Sequence, residues 1–256
     1  MLGVGGGLIF TPVLIFIYAD QLAQPVPWII ATSLLCTLGA SASSVRTHWT
    51  QDNMFWKEGL LVGACSLLGT AAGVWLVGSG FYEQREFSLV FSALLLYTAY
   101  RFLWVKTKPD APPPAADSDQ DVRHIFLPQA LLIGALGGGI ATLAGVGGGI
   151  VMVPVMSLLL SIPYRKTVSI SSTAILCISF LSSLQFGLQS PAENGLTPFT
   201  AGFVDFGTGL PLLAGALIGA NYGVLATRVL SKKVMERIFG FVALGVCARL
   251  LYEVLL

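Results

Sequence analysis

Apolar stretches long enough to cross a bilayer follow one another along almost the whole chain. A transmembrane helix needs about 20 residues to span roughly 30 Å of hydrocarbon. The pattern predicts nine helical segments, the first of them short, over residues 8–18, 27–45, 59–77, 87–105, 125–144, 147–162, 166–187, 200–225 and 235–256. We therefore expect an all-α polytopic membrane protein.

One polar stretch interrupts this pattern and divides the chain. Residues 107–124 read TKPDAPPPAADSDQDVRH, with four aspartates, four prolines and no large aliphatic residue except Val122. Such a composition is typical of a solvated, poorly ordered linker. The sequence thus predicts a first membrane repeat over 1–106, a linker over 107–124 and a second membrane repeat over 125–256.

The two apolar halves carry the same motifs in the same order. The stretch GVGGG at 3–7, with Pro12 five residues after it, recurs at 145–149 with Pro154 after it. Three further matches follow, in which the number of residues between the two copies drifts only from 141 to 148. They are Ala31-Thr32-Ser33 with Cys36 against Ser172-Thr173-Ala174 with Cys177, Gly69/Gly73 against Gly215/Gly219, and Phe91/Arg101 against Phe239/Arg249. So many matches in one order predict an internal duplication.

Lys and Arg residues in the short loops set the expected orientation of the halves. They concentrate in alternate loops, which places the loop near Asp20 outside and its counterpart near Arg165 inside. Halves of opposite orientation are inverted-topology repeats, and the linker is then cytoplasmic. Segments 125–144 and 147–162 must go into the membrane and come back, forming a broken helical hairpin with Gly145–Gly149 at its tip.

Composition narrows the classes of function. Apolar residues make up 55% of the 256 residues and charged residues 11%, with a net charge of +1 and a mean hydropathy of +0.79. Soluble domains carry about 25% charged residues. Composition therefore disfavours a soluble enzyme, a disordered protein and a nucleic-acid partner. The cysteines lie far apart in apolar stretches, so we interpret them as packing residues, with a substrate-lining or redox role as the alternative.

The sequence shows no motif that would support catalysis. It lacks an HExxH pair, a P-loop and a Ser/His/Asp arrangement in a supporting context, and no strand pattern precedes the glycine runs, as a dinucleotide site would require. We expect neither an enzyme nor a cofactor or metal site. No Asp, Glu, His or Lys lies at the centre of a predicted segment, so neither a proton relay nor a fixed counter-ion is visible.

The two GVGGG stretches are the strongest candidates for a substrate site. Inverted repeats bind substrate near the membrane midplane beside broken helices, and runs of glycine leave N–H groups free to form nests for anions. The candidate substrate-binding residues are Gly5, Gly6, Gly7, Thr32, Ser33, Gly147, Gly148, Gly149, Ser172 and Thr173.

Each of these residue types also has a purely structural interpretation. The glycine runs would then form only tight turns, and the hydroxyls would bond back to helix carbonyls. We interpret Gly69/Gly73 and Gly215/Gly219 as positions of close helix packing, because small residues let helix backbones approach.

These motifs together resemble the TauE/SafE family of sulfite exporters. The resemblance is carried by the doubled GVGGG-x4-P unit, the Ala-Thr-Ser and GxxxG matches, Arg46-x-His48 with Asn53 and Trp56, and Gly202-x-x-Asp205, and it covers nearly the whole chain except the linker. It implies movement of sulfur-containing anions, such as sulfite or sulfoacetate, across the bacterial inner membrane.

The first half departs from the family pattern. About 20 apolar residues, 125–144, precede the second glycine motif, whereas only Met1 and Leu2 precede the first. The family usually has an apolar arm there, so we expect either a start further upstream or a shortened member.

Three functional hypotheses remain open from the sequence. The leading one is a secondary transporter of small anions, the second is an anion channel, and the third is a non-transporting membrane accessory protein. The expected partners are a small anion and the lipid bilayer, with a homo-oligomer compatible with the sequence.

The orientation is tested by labelling a variant that lacks the native cysteines. We expect Asp119→Cys, in the linker, to react with an impermeant thiol reagent only after the cytoplasmic side is made accessible, because the basic loops place the linker inside. Reaction from the periplasmic side of intact cells would contradict the inverted topology.

Overall fold

The computed structural model describes residues 7–18, 21–50, 55–103, 126–159, 164–191, 193, 195–229 and 232–255. Within them the chain forms the helices α1 Gly7–Tyr18, α2 Pro25–Thr50, α3 Trp56–Gly78, α4 Gln84–Leu103, α5 Leu127–Ala144, α6 Gly149–Leu159, α7 Tyr164–Gly187, α8 Phe206–Val229 and α9 Lys232–Leu255, with the strands β1 Thr200–Ala201 and β2 Val204–Asp205 before α8. Four helices, α2, α3, α5 and α7, are long and apolar enough to cross a membrane. The protein is an all-α polytopic membrane protein, as the sequence predicts.

Each helix overlaps one predicted segment, with ends that differ by several residues, and the largest difference is at the start of α8. Segment 200–225 is predicted to be helical throughout, but its first residues form a two-stranded antiparallel hairpin that pairs Thr200 with Asp205. Gly202 turns the chain there with a φ of 56°. The Asp205 carboxylate accepts the N–H of Thr208 at 3.2 Å, which is the geometry of a helix N-cap. The helix therefore begins only after Asp205. The predicted linker, 107–124, lies outside the described residues.

Helices α2 and α7 lie at the centre of the molecule and contact each other. They run antiparallel, because Thr37 and Ser179 both lie beside Gly147, while Ser44 and Ser172 have their hydroxyl oxygens 3.1 Å apart. Moving seven residues forward along α2 thus corresponds to moving seven residues back along α7. Around this pair, α1 packs on α2, α6 on α7, α3 on α5 and α7, and α4 on α9.

Helices α3 and α5 approach each other so closely that only glycine fits at the contact. A Cβ atom on Gly69 would fall on the carbonyl oxygen of Ala135, and one on Gly134 would lie 2.6 Å from the carbonyl oxygen of Val62. Gly73 packs in the same way on the side chain of Thr142. The packing interpretation of the first GxxxG pair is confirmed.

The second GxxxG pair has a different environment. A Cβ atom on Gly215 or Gly219 would meet no atom of the described residues within 4 Å, and the neighbouring Ile218 is 61% exposed. Within the described part of the chain, the packing interpretation of this pair is therefore not confirmed.

These two environments predict opposite outcomes for the same substitution. We expect Gly69→Ala to lower the melting temperature of the purified protein by several degrees, because relieving the overlap with Ala135 would cost about 1–3 kcal/mol. The matched Gly215→Ala should leave the melting temperature unchanged or raise it slightly. Equal losses in both variants would show that the contact between α3 and α5 is not what constrains Gly69.

Candidate functional site

The break between α5 and α6 is a buried turn built from left-handed glycines. Helix α5 ends at Ala144. The φ angles of Gly145, Gly147 and Gly148 are 68°, 75° and 77°, and residues that carry a Cβ atom rarely adopt such angles. Helix α6 then folds back along α5, since a Cβ atom on Gly148 would come within 2.5 Å of the carbonyl oxygen of Gly137. All residues from Ala144 to Ile150 are buried.

This turn leaves consecutive backbone N–H groups without acceptors. The N–H of Val146 bonds to the carbonyl of Ala141 at 3.2 Å, and that of Met152 bonds to the carbonyl of Gly148 at 3.0 Å. Between them, the N–H groups of residues 147–150 donate to no acceptor among the described residues. They lie at the N-terminus of an 11-residue helix, where the helix dipole adds a partial positive charge.

Two hydroxyl groups from the first half satisfy the carbonyl that the turn exposes. Thr11 on α1 donates to the carbonyl of Gly145 at 3.1 Å, and Ser33 on α2 donates to the same oxygen. The two hydroxyl oxygens are 3.1 Å apart. A buried carbonyl without a partner is costly, so these bonds hold the turn against the first half of the chain.

The two glycine motifs meet in space. A Cβ atom on Gly7 would lie 2.7 Å from the Cα atom of Val146 and 2.9 Å from the carbonyl oxygen of Gly145. Backbone therefore touches backbone where the first residue of α1 meets the turn before α6. Gly5 and Gly6 lie outside the described residues.

The remaining predicted site residues lie in three separate places. Thr32 is fully buried and accepts the backbone N–H of Asp205 at 3.2 Å. Thr173 packs against Gly59 and bonds back to the carbonyl of Ser169 at 3.3 Å. Ser172 bonds back to the carbonyl of Val168 at 2.8 Å. The hydroxyls of Ser172 and Thr173 thus bond back to carbonyls of their own helix, and a substrate role for them stays a prediction.

Asp205 is a buried carboxylate whose hydrogen bonds join several elements. Its oxygens accept hydrogen bonds from the hydroxyls of Tyr18 at 2.9 Å, Thr208 at 3.0 Å and Thr197 at 2.5 Å, besides the Thr208 N–H. These donors occupy most of the acceptor positions of a carboxylate, which suits a structural anion. Its position directly before an apolar helix is the sequence signal of an N-cap.

Sequence reasoning also missed Thr37 and Ser179. Both side chains are 0% exposed, and both lie beside Gly147. Neither hydroxyl has a hydrogen-bond partner among the described residues.

The two ends of the α2–α7 pair differ in charge. Arg46 and Lys57 are exposed at one end, where Lys166 also lies, with its ammonium 5.2 Å from the ring centroid of Phe55. At the other end, a cavity of about 890 Å³ is lined by residues that include Gln24, Trp75, Glu83 and Phe203.

Among the described residues, no cluster of three or more His, Cys, Asp or Glu side chains could hold a metal ion.

Comparison with known proteins identifies the family. The family model for sulfite exporter TauE/SafE matches residues 1–250, so the chain belongs to that family. The chain is 29% identical to the probable membrane transporter protein YunE of Bacillus subtilis over 271 residues, which cover 99% of this chain and 92% of that protein. It is 25% identical over 235 residues to the probable membrane transporter protein MJ0441 of Methanocaldococcus jannaschii, covering 91% of this chain and 82% of that protein.

A probable membrane transporter protein of Xylella fastidiosa (strain 9a5c) is 22% identical over 255 residues, covering 99% of this chain and 89% of the relative. No solved structure matches the chain at a significant level. The family and the names of its relatives identify a multi-pass membrane protein of a transporter family.

The bonds to the Gly145 carbonyl predict a non-additive double substitution. We expect Thr11→Val and Ser33→Ala each to lower the melting temperature slightly, because the other hydroxyl still satisfies the carbonyl. Together they leave that buried oxygen without a donor, which costs about 1–3 kcal/mol. Thermal melts of the purified single and double variants measure this coupling. Thr47→Val, which removes an exposed hydroxyl on the same helix, serves as the control, and strictly additive losses would contradict the shared acceptor.

Proposed function

We propose that this member of the TauE/SafE family is a secondary transporter of small sulfur-containing anions, such as sulfite or organosulfonates, in the bacterial inner membrane. The observation that carries the proposal is the row of N–H groups from Gly147 to Ile150, which is buried at a helix N-terminus and has no acceptor among the described residues. Such groups bind anions through direct hydrogen bonds and through the helix dipole.

The location of the break supports a transport role. Irregular backbone at membrane depth is tolerated only where it is buried in protein or lines a cavity. Here it contacts residues of both halves, since Gly7, Thr11 and Ser33 come from the first half and the turn belongs to the second. In transporters with inverted repeats, the substrate site lies at this kind of interface.

The identity of the substrate is supported by the family. The matching family model carries the description of a sulfite exporter, and sulfite and organosulfonates present several oxygen acceptors to N–H donors. The exposed Arg46 and Lys57 at one end of α2 and α3 would concentrate anions there.

Alternating access is favoured over an open channel because the turn is enclosed. Val146 is 2% and Ile150 is 5% exposed, so an ion beside them would be occluded in this conformation. An anion channel that uses the same N–H groups is the second candidate, and a non-transporting accessory protein is the third.

Flux through liposomes containing the purified protein separates these candidates. We expect saturable uptake of labelled sulfite, faster when unlabelled sulfite is trapped inside, because exchange is a property of a carrier. Sulfate, thiosulfate, sulfoacetate and chloride complete the panel, and protein-free liposomes are the control. Flux that rises linearly with anion concentration, without stimulation by trapped anion, would identify a channel. If no anion crosses the membrane, only the hypothesis of a non-transporting accessory protein remains.

A further inference from the structure

Two buried hydroxyl groups beside the glycine turn have no evident structural purpose. Thr37 on α2 and Ser179 on α7 are 0% exposed, and their hydroxyl oxygens have no hydrogen-bond partner among the described residues. Burying a hydroxyl without a partner destabilises a protein. Most buried polar atoms in native proteins have a partner, so each exception needs an explanation.

The usual way to satisfy a hydroxyl inside a helix is not used at these positions. Ser and Thr side chains in helices commonly bond back to a carbonyl of the preceding turn. Thr98, Thr142 and Ser172 do so, at 2.7, 2.8 and 2.8 Å. Thr37 and Ser179 lie in similar apolar helices without making that bond, so their hydroxyls are available to a molecule between the helices.

Both side chains lie against Gly147, at the start of the N–H groups that have no acceptor among the described residues. A Cβ atom on Gly147 would lie 2.7 Å from Cγ2 of Thr37 and 3.8 Å from Oγ of Ser179. Gly147 is the first of the residues whose N–H groups have no acceptor within the described part of the chain. Side chains of α2 and α7 thus meet the backbone that leads into α6 at one buried place. Thr37 is the thirteenth of the 26 residues of α2, halfway along that helix.

We infer that Thr37, Ser179 and the N–H groups of residues 147–150 form an uncharged cradle for one small oxyanion. The inference rests on the proposed transport function and names the side chains that contact the substrate, one from each half of the chain. A tetrahedral or pyramidal oxyanion, such as sulfite, sulfate or a sulfonate group, has enough acceptor oxygens to occupy hydroxyl and N–H donors together. Chloride offers no separate oxygens to divide among them and should bind more weakly.

A second pair of hydroxyls lies further along α2 and α7, towards the basic end of the molecule. Ser44 and Ser172, with their oxygens 3.1 Å apart, lie seven residues from Thr37 and Ser179 along their helices, which is roughly 10 Å. Arg46 and Lys166 follow on the same two helices.

The test removes the hydroxyls without changing side-chain size much. We expect Thr37→Val and Ser179→Ala each to raise the KM for sulfite about ten- to a hundredfold, the effect of losing one hydrogen bond to a charged ligand. Their melting temperatures without anion should be unchanged or higher, because an unpaired buried hydroxyl is removed. The stabilisation that added sulfite gives the wild-type protein should fall in both variants. Thr37→Ser, which keeps the hydroxyl, should retain a KM near the wild-type value.

A matched control separates ligand contact from general repacking. Ser92 on α4 is 2% exposed, and its hydroxyl also has no partner among the described residues. It lies far from the turn in the fold, beside Cys247 on α9. We expect Ser92→Ala to leave the KM for sulfite unchanged. A rise in the KM equal to that of Thr37→Val would overturn the cradle.

The outcomes also separate the cradle from the transport proposal. If Thr37→Val and Ser179→Ala keep the wild-type KM and the wild-type stabilisation by sulfite, the hydroxyls hold ordered water only and the cradle is wrong. If the wild-type protein carries no flux but is stabilised by sulfite, and Thr37→Val loses that stabilisation, the cradle stands and the transport proposal fails. If neither flux nor stabilisation occurs with any oxyanion, both are wrong.

Discussion

The structure depends on burying an interrupted helix inside an apolar bundle. Where α5 ends at Ala144, backbone groups lose their helical partners, and in hydrocarbon each of them needs a replacement. Thr11 and Ser33 supply it for the carbonyl of Gly145. The left-handed glycines then let the chain reverse within four residues, and the absence of a side chain on Gly7 lets α1 touch the turn. The N–H groups left over from the same reversal are the ones that we assign to the substrate.

The contacts between helices can be compared with those that the predicted duplication would give, although the duplication itself stays a prediction. If the first half is exchanged for the second, α1 to α4 become α6 to α9. Under this exchange, the contacts α2–α7 and α4–α9 stay the same. The contact α1–α2 becomes α6–α7, and α3–α7 becomes α8–α2. All of these contacts are present in the structure. The contact between α3 and α5 has no counterpart on α8 among the described residues, where Gly215 and Gly219 meet no neighbour.

The fold was predictable because membrane helices are specified by length and hydropathy, which are local properties. The start of α8 was not, because it depends on the turn at Gly202 and on the cap that Asp205 forms with Thr208. The glycine turn was predictable as a break, because a run of glycines reaches positive φ angles more readily than any other sequence.

The residues around the turn were harder to assign from the sequence. A hydroxyl in an apolar helix usually bonds to its own backbone, as Ser172 and Thr173 do. Nothing in the sequence distinguishes Thr37 and Ser179 from them, because their exceptional position depends on Gly147 being brought between two helices that are distant in the chain.

The absence of a basic residue at the centre of these helices suits a site that must release its ligand. A buried cation would carry a large desolvation penalty when empty and would hold an anion tightly when filled. Hydroxyl and N–H donors avoid both extremes, so charge can be confined to Arg46 and Lys166 near one end, where it attracts anions without trapping them at the midplane.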